Sequence, residues 1–120
     1  MNYTKLNKEA WEEVFPKHKI GWRFDPAEKL LEKDFFFLEK NIIREMQKIN
    51  LSRKTAGQFC CNNGRELLSI VKLGAESGIG FDIAWNFIDE ANRIAKTTNL
   101  NCQFIARDIY DISSEYNGRF

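Results

Sequence analysis

The sequence predicts an α/β fold, namely a partial doubly wound parallel sheet of three strands preceded by helices. Before residue 54, apolar residues recur every three or four positions, which is typical of helices. After residue 54, short apolar runs alternate with helical patterns. The 120 residues are enough for one domain with a sizeable core. We therefore expect a helical segment over 1–54 and a βαβαβ unit over 55–120.

Two or three helices are expected before residue 52. The segment "KEAWEEVF" places Trp11, Val14 and Phe15 at helical spacing. A second helix is expected to begin at Asp25-Pro26, because a capping residue followed by a first-turn proline is a helix-start signal. The apolar stripe that follows, widened by the phenylalanines 35–37 and expected to pack in the core, comprises Leu31, Phe35, Leu38, Ile42, Met46 and Ile49.

The second segment contains three strand candidates, "TAGQFCC", "SGIGFDI" and "NCQFIARDIY". They should centre near Phe59, Gly80 and Phe104. Right-handed crossovers make all three parallel, in the spatial order 3-2-1. The helices between them, "GRELLSIVKLGA" and "AWNFIDEANRIAKTTN", should bury one face each. Those faces comprise Leu67, Leu68, Ile70 and Val71 in the first helix, and Trp85, Ile88, Ala91 and Ala95 in the second.

Composition excludes several classes of protein. With 18 basic and 17 acidic residues, the net charge of +1 does not favour nucleic acid as a partner. No apolar run is long enough for a membrane span, and the N-terminus has no signal-peptide core. We therefore expect a cytoplasmic protein. Three cysteines give no disulfide framework, and a single histidine without a CxxC motif predicts no metal site.

The stretch "FCCNNGRELL" predicts a tight turn between the first strand and its helix. In such sheets the ligand lies at the carboxyl ends of the strands. Asparagine is tolerant of the left-handed region, so Asn62-Asn63-Gly64 can form this turn. The pattern GxGxxG is absent, which counts against a pyrophosphate and leaves room for a nucleoside without phosphates.

Carboxylates end the next two strands. Asp82 ends the second strand, where it is placed to accept hydrogen bonds from ribose hydroxyls. Asp108 ends the third strand on the same edge of the sheet, within reach of an adenine amino group. Either residue alone is equally consistent with a loop carboxylate or a helix cap. Polar matches at three successive strand ends favour a nucleoside site more strongly.

This ordered set resembles the class I S-adenosylmethionine-dependent methyltransferases, over the N-terminal half of their domain. "GQFCCNNGRELLSIVKLGAESGIGFDIAWNFIDEANRIA" is similar to the first motif, first helix and acidic second motif of that family, and "NCQFIARDIYDI" to its third-strand motif. "NKEAWEEVFPKH" resembles the N-terminal helices of some bacterial members. The glycine–x–glycine–x–glycine positions of the family hold Cys60, Asn62 and Gly64.

The resemblance implies S-adenosylmethionine as the cofactor. The turn would pack on its methionine and ribose, Asp82 would hold the ribose hydroxyls, and Asp108 with Ile109 would border the adenine. Tyr3 and Trp11 are candidates for an aromatic lid over the sulfonium, or for packing of an N-terminal helix. The other implied cofactor-binding residues are Cys60, Cys61, Asn62, Gly64 and Ile83. No catalytic residue is assigned; His18 is a candidate base or a packing residue.

The resemblance also implies that the chain is the front part of a longer enzyme. The domain of this family continues with a fourth strand and three more, which usually contact an acceptor that the sequence leaves unknown. We therefore expect a fragment that binds the cofactor weakly. It should either be inactive and self-associating, or pair edge to edge into a dimer through Thr55–Cys61. The alternatives are a nicotinamide-dependent oxidoreductase fragment and a non-catalytic protein with a degenerate cofactor site.

Overall fold

The structure, a computed structural model, describes residues 2–20 and 24–120, with only the backbone for residues 15–20. Within these residues, three helices precede a βαβαβ unit, and two 3₁₀ turns follow it. The predicted α/β class, with helices before three parallel strands, is confirmed. In chain order the elements are α1 (Tyr3–Ile20), α2 (Pro26–Leu31), α3 (Lys40–Gln47), β1 (Thr55–Phe59), α4 (Arg65–Lys72), β2 (Ser77–Asp82), α5 (Trp85–Thr98), β3 (Cys102–Ala106) and the 3₁₀ turns Ile109–Asp111 and Ser114–Tyr116.

The sheet has the order β1-β2-β3, and both pairs are parallel. The predicted strand order is therefore confirmed. Gly80 of β2 lies between Gln58 of β1 and Phe104 of β3. β1 ends at Phe59, two residues before its predicted end, because Cys60 leaves the extended conformation with φ 54°. The strand therefore centres on Gly57 and not near Phe59.

One face of the sheet packs against α4 and α5. Gly78 of β2 lies under α4, where an added Cβ would come within 3.1 Å of Leu67 and Val71. Helix α2 joins the same core, so residues 1–54 and 55–120 share one packed interior. The buried cluster comprises Ala27, Leu30, Cys61, Leu67, Leu68, Ile88, Ala91, Ile94, Ala95 and Phe104.

Helix α2 begins where the sequence predicts. The Ala27 N–H donates a hydrogen bond of 3.0 Å to the Asp25 carboxylate, and Pro26 is the first helical residue. The same carboxylate pairs with Arg93 of α5 at 2.8 Å. Arg93 also pairs with the buried Glu90. The Asp25–Arg93 pair joins the start of α2 to α5, and the Arg93–Glu90 pair, within α5, holds the guanidinium in place.

The apolar stripe after Asp25 has the spacing of one continuous helix, but the structure divides it between α2 and α3. Helix α2 ends after six residues, and residues 32–39 leave the helical conformation before α3 begins. Contacts from α4 explain the break. The Lys72 ammonium donates to the backbone carbonyls of Glu32 and Phe35, and the Phe37 N–H donates to Ser69 Oγ at 2.9 Å. These tertiary hydrogen bonds replace the local bonds of a continuous helix.

Several apolar residues expected in the core lie at the surface. Because the stripe is split between two short helices, its spacing no longer defines one buried face. In α5 the predicted Ile88, Ala91 and Ala95 are buried, and Phe87 and Ile94 join the same buried face. The exposed residues of the predicted faces are Leu31, Ile42, Ile49 and Trp85.

The second face of the sheet is partly covered by aromatic rings from the C-terminal segment. The buried Phe81 ring stacks on Phe59, with centroids 5.8 Å apart, and meets Tyr116 edge-on at 5.1 Å. The Phe120 ring lies over Gly57, where an added Cβ would come within 2.8 Å of it. Phe59 remains 58% exposed, so this face is only partly covered.

Candidate functional site

The turn between β1 and α4 has alternating left-handed residues. Cys60, Asn62 and Gly64 have φ values of 54°, 56° and 76°. These are the three positions that the sequence resemblance pairs with glycines, and all three are left-handed although only one is a glycine. Gly64 is the residue before α4, and its N–H donates to the Cys61 carbonyl at 2.9 Å. The predicted turn is present.

Asp82 connects this turn to the end of β2. Its Oδ2 accepts a hydrogen bond of 2.8 Å from the Asn62 N–H, and its Oδ1 accepts one of 3.0 Å from the Ala84 N–H. The Asn62 side chain is also held, because its Oδ1 accepts from the Asn63 N–H at 2.7 Å. The carboxylate therefore holds the turn in shape as well as lying at the strand end.

Asp108 follows β3 and caps the first 3₁₀ turn. Its Oδ1 accepts a hydrogen bond of 3.0 Å from the Tyr110 N–H. The preceding residue, Arg107, donates its N–H to the Asp82 carbonyl at 2.8 Å. This bond keeps the end of β3 beside the end of β2. Asp82 and Asp108 are thus both anchored at the carboxyl ends of the parallel strands.

A cavity of about 340 Å³ opens at the carboxyl ends of the strands. It is bounded by the N-terminal half of α1, the turn after β1, and the ends of β2 and β3. Seven of the ten predicted cofactor-binding residues line it. The lining residues are Thr4, Asn7, Trp11, Cys60, Asn62, Asp82, Ile83, Phe87, Arg107, Asp108, Ile109 and Tyr110.

The other three predicted residues lie away from the cavity wall. Cys61 is buried in the core, where burial and then the nearby Asp82 raise the pKa of its thiol to about 12. Gly64 packs under Phe104, so its role is to admit that ring. Tyr3 is exposed at the start of α1. Their assignment to the cofactor remains a prediction.

Helix α1 supplies one wall of the cavity. Its Trp11 ring meets Phe87 of α5 edge-on, with centroids 6.2 Å apart. The Asn86 amide donates to the Glu12 carbonyl at 2.8 Å, which anchors the same helix. Trp11 therefore packs against α5 and also lines the cavity, and its role as a lid over a sulfonium stays a prediction. The side chain of His18 lies outside the described residues.

Sequence reasoning missed five lining residues. Thr4 and Asn7 lie seven and four positions before Trp11, so helical periodicity would have placed them beside it. Arg107 directly precedes Asp108 and could have been found from that strand end. Phe87 and Tyr110 carry no such signal, because only the packing of α5 and of the 3₁₀ turn brings them to the cavity.

The described residues contain no cluster of histidine, cysteine and acidic side chains that could hold a metal ion. None of the helices described, over 2–20 and 24–120, is long and apolar enough to cross a membrane.

Neither a protein-family model nor a curated protein matches the chain. Solved structures do. The tRNA (uracil-54, C5)-methyltransferase of Pyrococcus abyssi, in complex with S-adenosyl-L-homocysteine, is 20% identical with a TM-score of 0.50; the match covers 62% of this chain and 18% of that one. A ribosomal protein L11 methylase from Lactobacillus delbrueckii is 16% identical with a TM-score of 0.51, covering 59% of this chain and 38% of that one.

The chain shares its fold with part of each of these structures, and this is the partial Rossmann-like fold of class I S-adenosylmethionine-dependent methyltransferases. The resemblance predicted from the sequence is thus confirmed at the level of the fold. The chain spans 18% and 38% of the lengths of these two methyltransferases.

Proposed function

We propose that this chain is the cofactor-binding front part of an S-adenosylmethionine-dependent methyltransferase. Residues 55–120 would form the N-terminal half of the catalytic domain, with residues 1–54 as the helical segment before it. The methyl acceptor would be bound by parts of the enzyme that this half does not include. The two solved methyltransferases with this fold act on tRNA and on a ribosomal protein.

The alternating left-handed turn beside the cavity is the observation that carries the proposal. Placing a residue with a side chain in the left-handed region costs about 1–2 kcal/mol. Cys60 bears this cost, Asn62 bears less of it because asparagine tolerates this region, and Asp82 holds the turn in that shape. Strained backbone of this kind clusters at ligand sites. In a protein that binds no cofactor, no ligand contact would offset this strained turn, which counts against the non-catalytic alternative.

The chemistry of the cavity wall fits an adenosine-type cationic cofactor. A carboxylate offers about four acceptor sites. Each oxygen of Asp82 accepts one backbone hydrogen bond, so about two sites remain for ribose hydroxyls. Two carboxylates beside a single guanidinium, that of Arg107, favour a cation over a phosphate. NADP, with its 2′-phosphate, is accordingly a poor ligand for this site.

The residues of this chain would contribute binding and orientation. When bound, the cofactor supplies a methyl group activated on a sulfonium sulfur. Asp82 would hold the ribose, and Asp108 and Ile109 would border the adenine. The Trp11 ring presents an aromatic surface that attracts a sulfonium cation. In-line attack then depends on how well these groups fix the nucleoside. None of the described residues is assigned as a general base.

Calorimetric titration of the chain with S-adenosyl-L-homocysteine tests the proposal. We expect Asp82→Ala to weaken binding by about 1.5–3 kcal/mol, the range for hydrogen bonds to a charged group. Asp89→Ala is the matched control, because Asp89 is exposed on α5 and does not line the cavity. Equal affinity in the two variants would remove Asp82 from the site. Binding of NADH instead would favour the oxidoreductase alternative. Binding of neither ligand would favour the non-catalytic alternative.

A further inference from the structure

The cavity carries two side chains at positions where the turn itself needs none. Cys60 and Asn62 adopt left-handed conformations that glycine adopts without cost, and both line the cavity. Each Cβ and the atoms beyond it occupy space that a glycine would leave open. The chain therefore narrows its own cavity on the β1 side.

The Asn62 side chain cannot easily move away from a ligand. Its Oδ1 accepts a hydrogen bond of 2.7 Å from the Asn63 N–H, and the backbone N–H of Asn62 donates to Asp82 at 2.8 Å, which fixes the backbone from which the side chain projects. Swinging the side chain out would break the first bond. A bulky ligand group on this side would thus meet a fixed wall, with the thiol of Cys60 beside it.

The order of the strands decides which part of a ligand meets that wall. Because β2 lies between β1 and β3, Asp82 lies in the middle of the site and Asp108 at the far end. A nucleoside that binds Asp82 through its ribose and directs its base toward Asp108 extends its 5′ substituent toward β1. That substituent is the group that meets Cys60 and Asn62.

We propose that Cys60 and Asn62 limit the size of the 5′ substituent that this site accepts. The proposal rests on the proposed nucleoside site. An adenine nucleoside thioether with a short substituent, 5′-methylthioadenosine, should bind at least as tightly as S-adenosyl-L-homocysteine, which carries an additional amino-acid group. Steric exclusion of this kind is how a site discriminates between ligands that share every other contact.

Titration of both ligands into the 120-residue chain and into Cys60→Gly/Asn62→Gly tests this. The measured quantity is the affinity for S-adenosyl-L-homocysteine divided by the affinity for 5′-methylthioadenosine. This ratio should be at least about tenfold higher in the double variant than in the parent chain, as expected when a few atoms obstruct a pocket. The single variants should each show part of the effect, so the test survives if the double variant does not fold. Asn99→Gly is the matched control, since Asn99 has φ 55°, ends α5 and does not line this cavity.

The control separates selectivity from stability. Asn99→Gly relieves the same left-handed strain, so it should change the free energy of unfolding without changing the ratio of the two affinities. Measurable binding with the same ratio in the parent chain and the glycine variants would overturn the inference and leave the proposed function standing. Absence of binding of either ligand to every variant would overturn both.

Discussion

Replacing Gly64 by alanine should destabilise the protein through two separable terms. Gly64 has φ 76°, and the left-handed region costs a residue with a side chain about 1–2 kcal/mol. An added Cβ would also lie 2.4 Å from two atoms of the Phe104 ring and 3.1 Å from the Ala91 Cβ. Phe104 and Ala91 are buried in the core, so the ring has little room to move. Overpacking of this kind typically costs about 1–3 kcal/mol.

The sum predicts that Gly64→Ala lowers the free energy of unfolding by about 2–5 kcal/mol. Gly118→Ala is the matched control, because Gly118 has φ 74° and an added Cβ there would meet nothing within 4 Å. Urea unfolding of both variants, followed by circular dichroism, measures the difference. Equal losses in the two variants would refute the steric part of the reasoning.

Three further predictions concern the edge of the sheet, the thiols and the residue 32–39 segment. Among the described residues β1 pairs only with β2, so sedimentation should show association that increases with concentration. A thiol reagent at pH 8 should label the exposed Cys60 first, because burial raises the pKa of Cys61 and Cys102 to about 12 and keeps their thiols protonated. Lys72→Met should lower the free energy of unfolding by about 1–3 kcal/mol, since two backbone carbonyls lose their donor.

Each of these predictions has a clear contrary outcome. A chain that sediments as a monomer at every concentration contradicts association through β1. If Cys61 or Cys102 is labelled as fast as Cys60 in the folded protein, the thiols of Cys61 and Cys102 are not protected by burial, and the prediction is wrong. For Lys72 the control is Lys33→Met, at an exposed position; equal losses in the two variants would show that the bonds from Lys72 contribute nothing.

The raised thiol pKa values also predict how stability depends on pH. In the unfolded chain Cys61 and Cys102 titrate near pH 9, whereas in the folded protein they hold their protons up to about pH 12. Above pH 9 the unfolded state therefore binds fewer protons than the folded one, and the free energy of unfolding should fall as pH rises.

Local patterns in the sequence were enough to predict the βαβαβ unit and the place of its turn. Strands and helices of this unit have distinct periodicities, and helical crossovers between successive strands predict a parallel sheet. Asp82 and Asp108 could be placed at one edge for the same reason, since parallel strands end on the same side of a sheet. Asp25-Pro26 likewise marked the start of α2, because capping acts within a few residues of the chain.

Contacts between distant residues decided the rest. Leu31, Phe35 and Leu38 have helical spacing, yet residues of α4 hold this backbone in another conformation. Lys72 donates a hydrogen bond to the Phe35 carbonyl, and Ser69 accepts one from the Phe37 N–H. Cys60 and Asn62 do not have the composition of a glycine turn, yet Asp82, twenty residues after Asn62, holds them in that shape. In both places hydrogen bonds to a residue far along the chain outweigh the backbone conformation that the local sequence favours. Periodicity and composition report only the interactions between residues close in sequence.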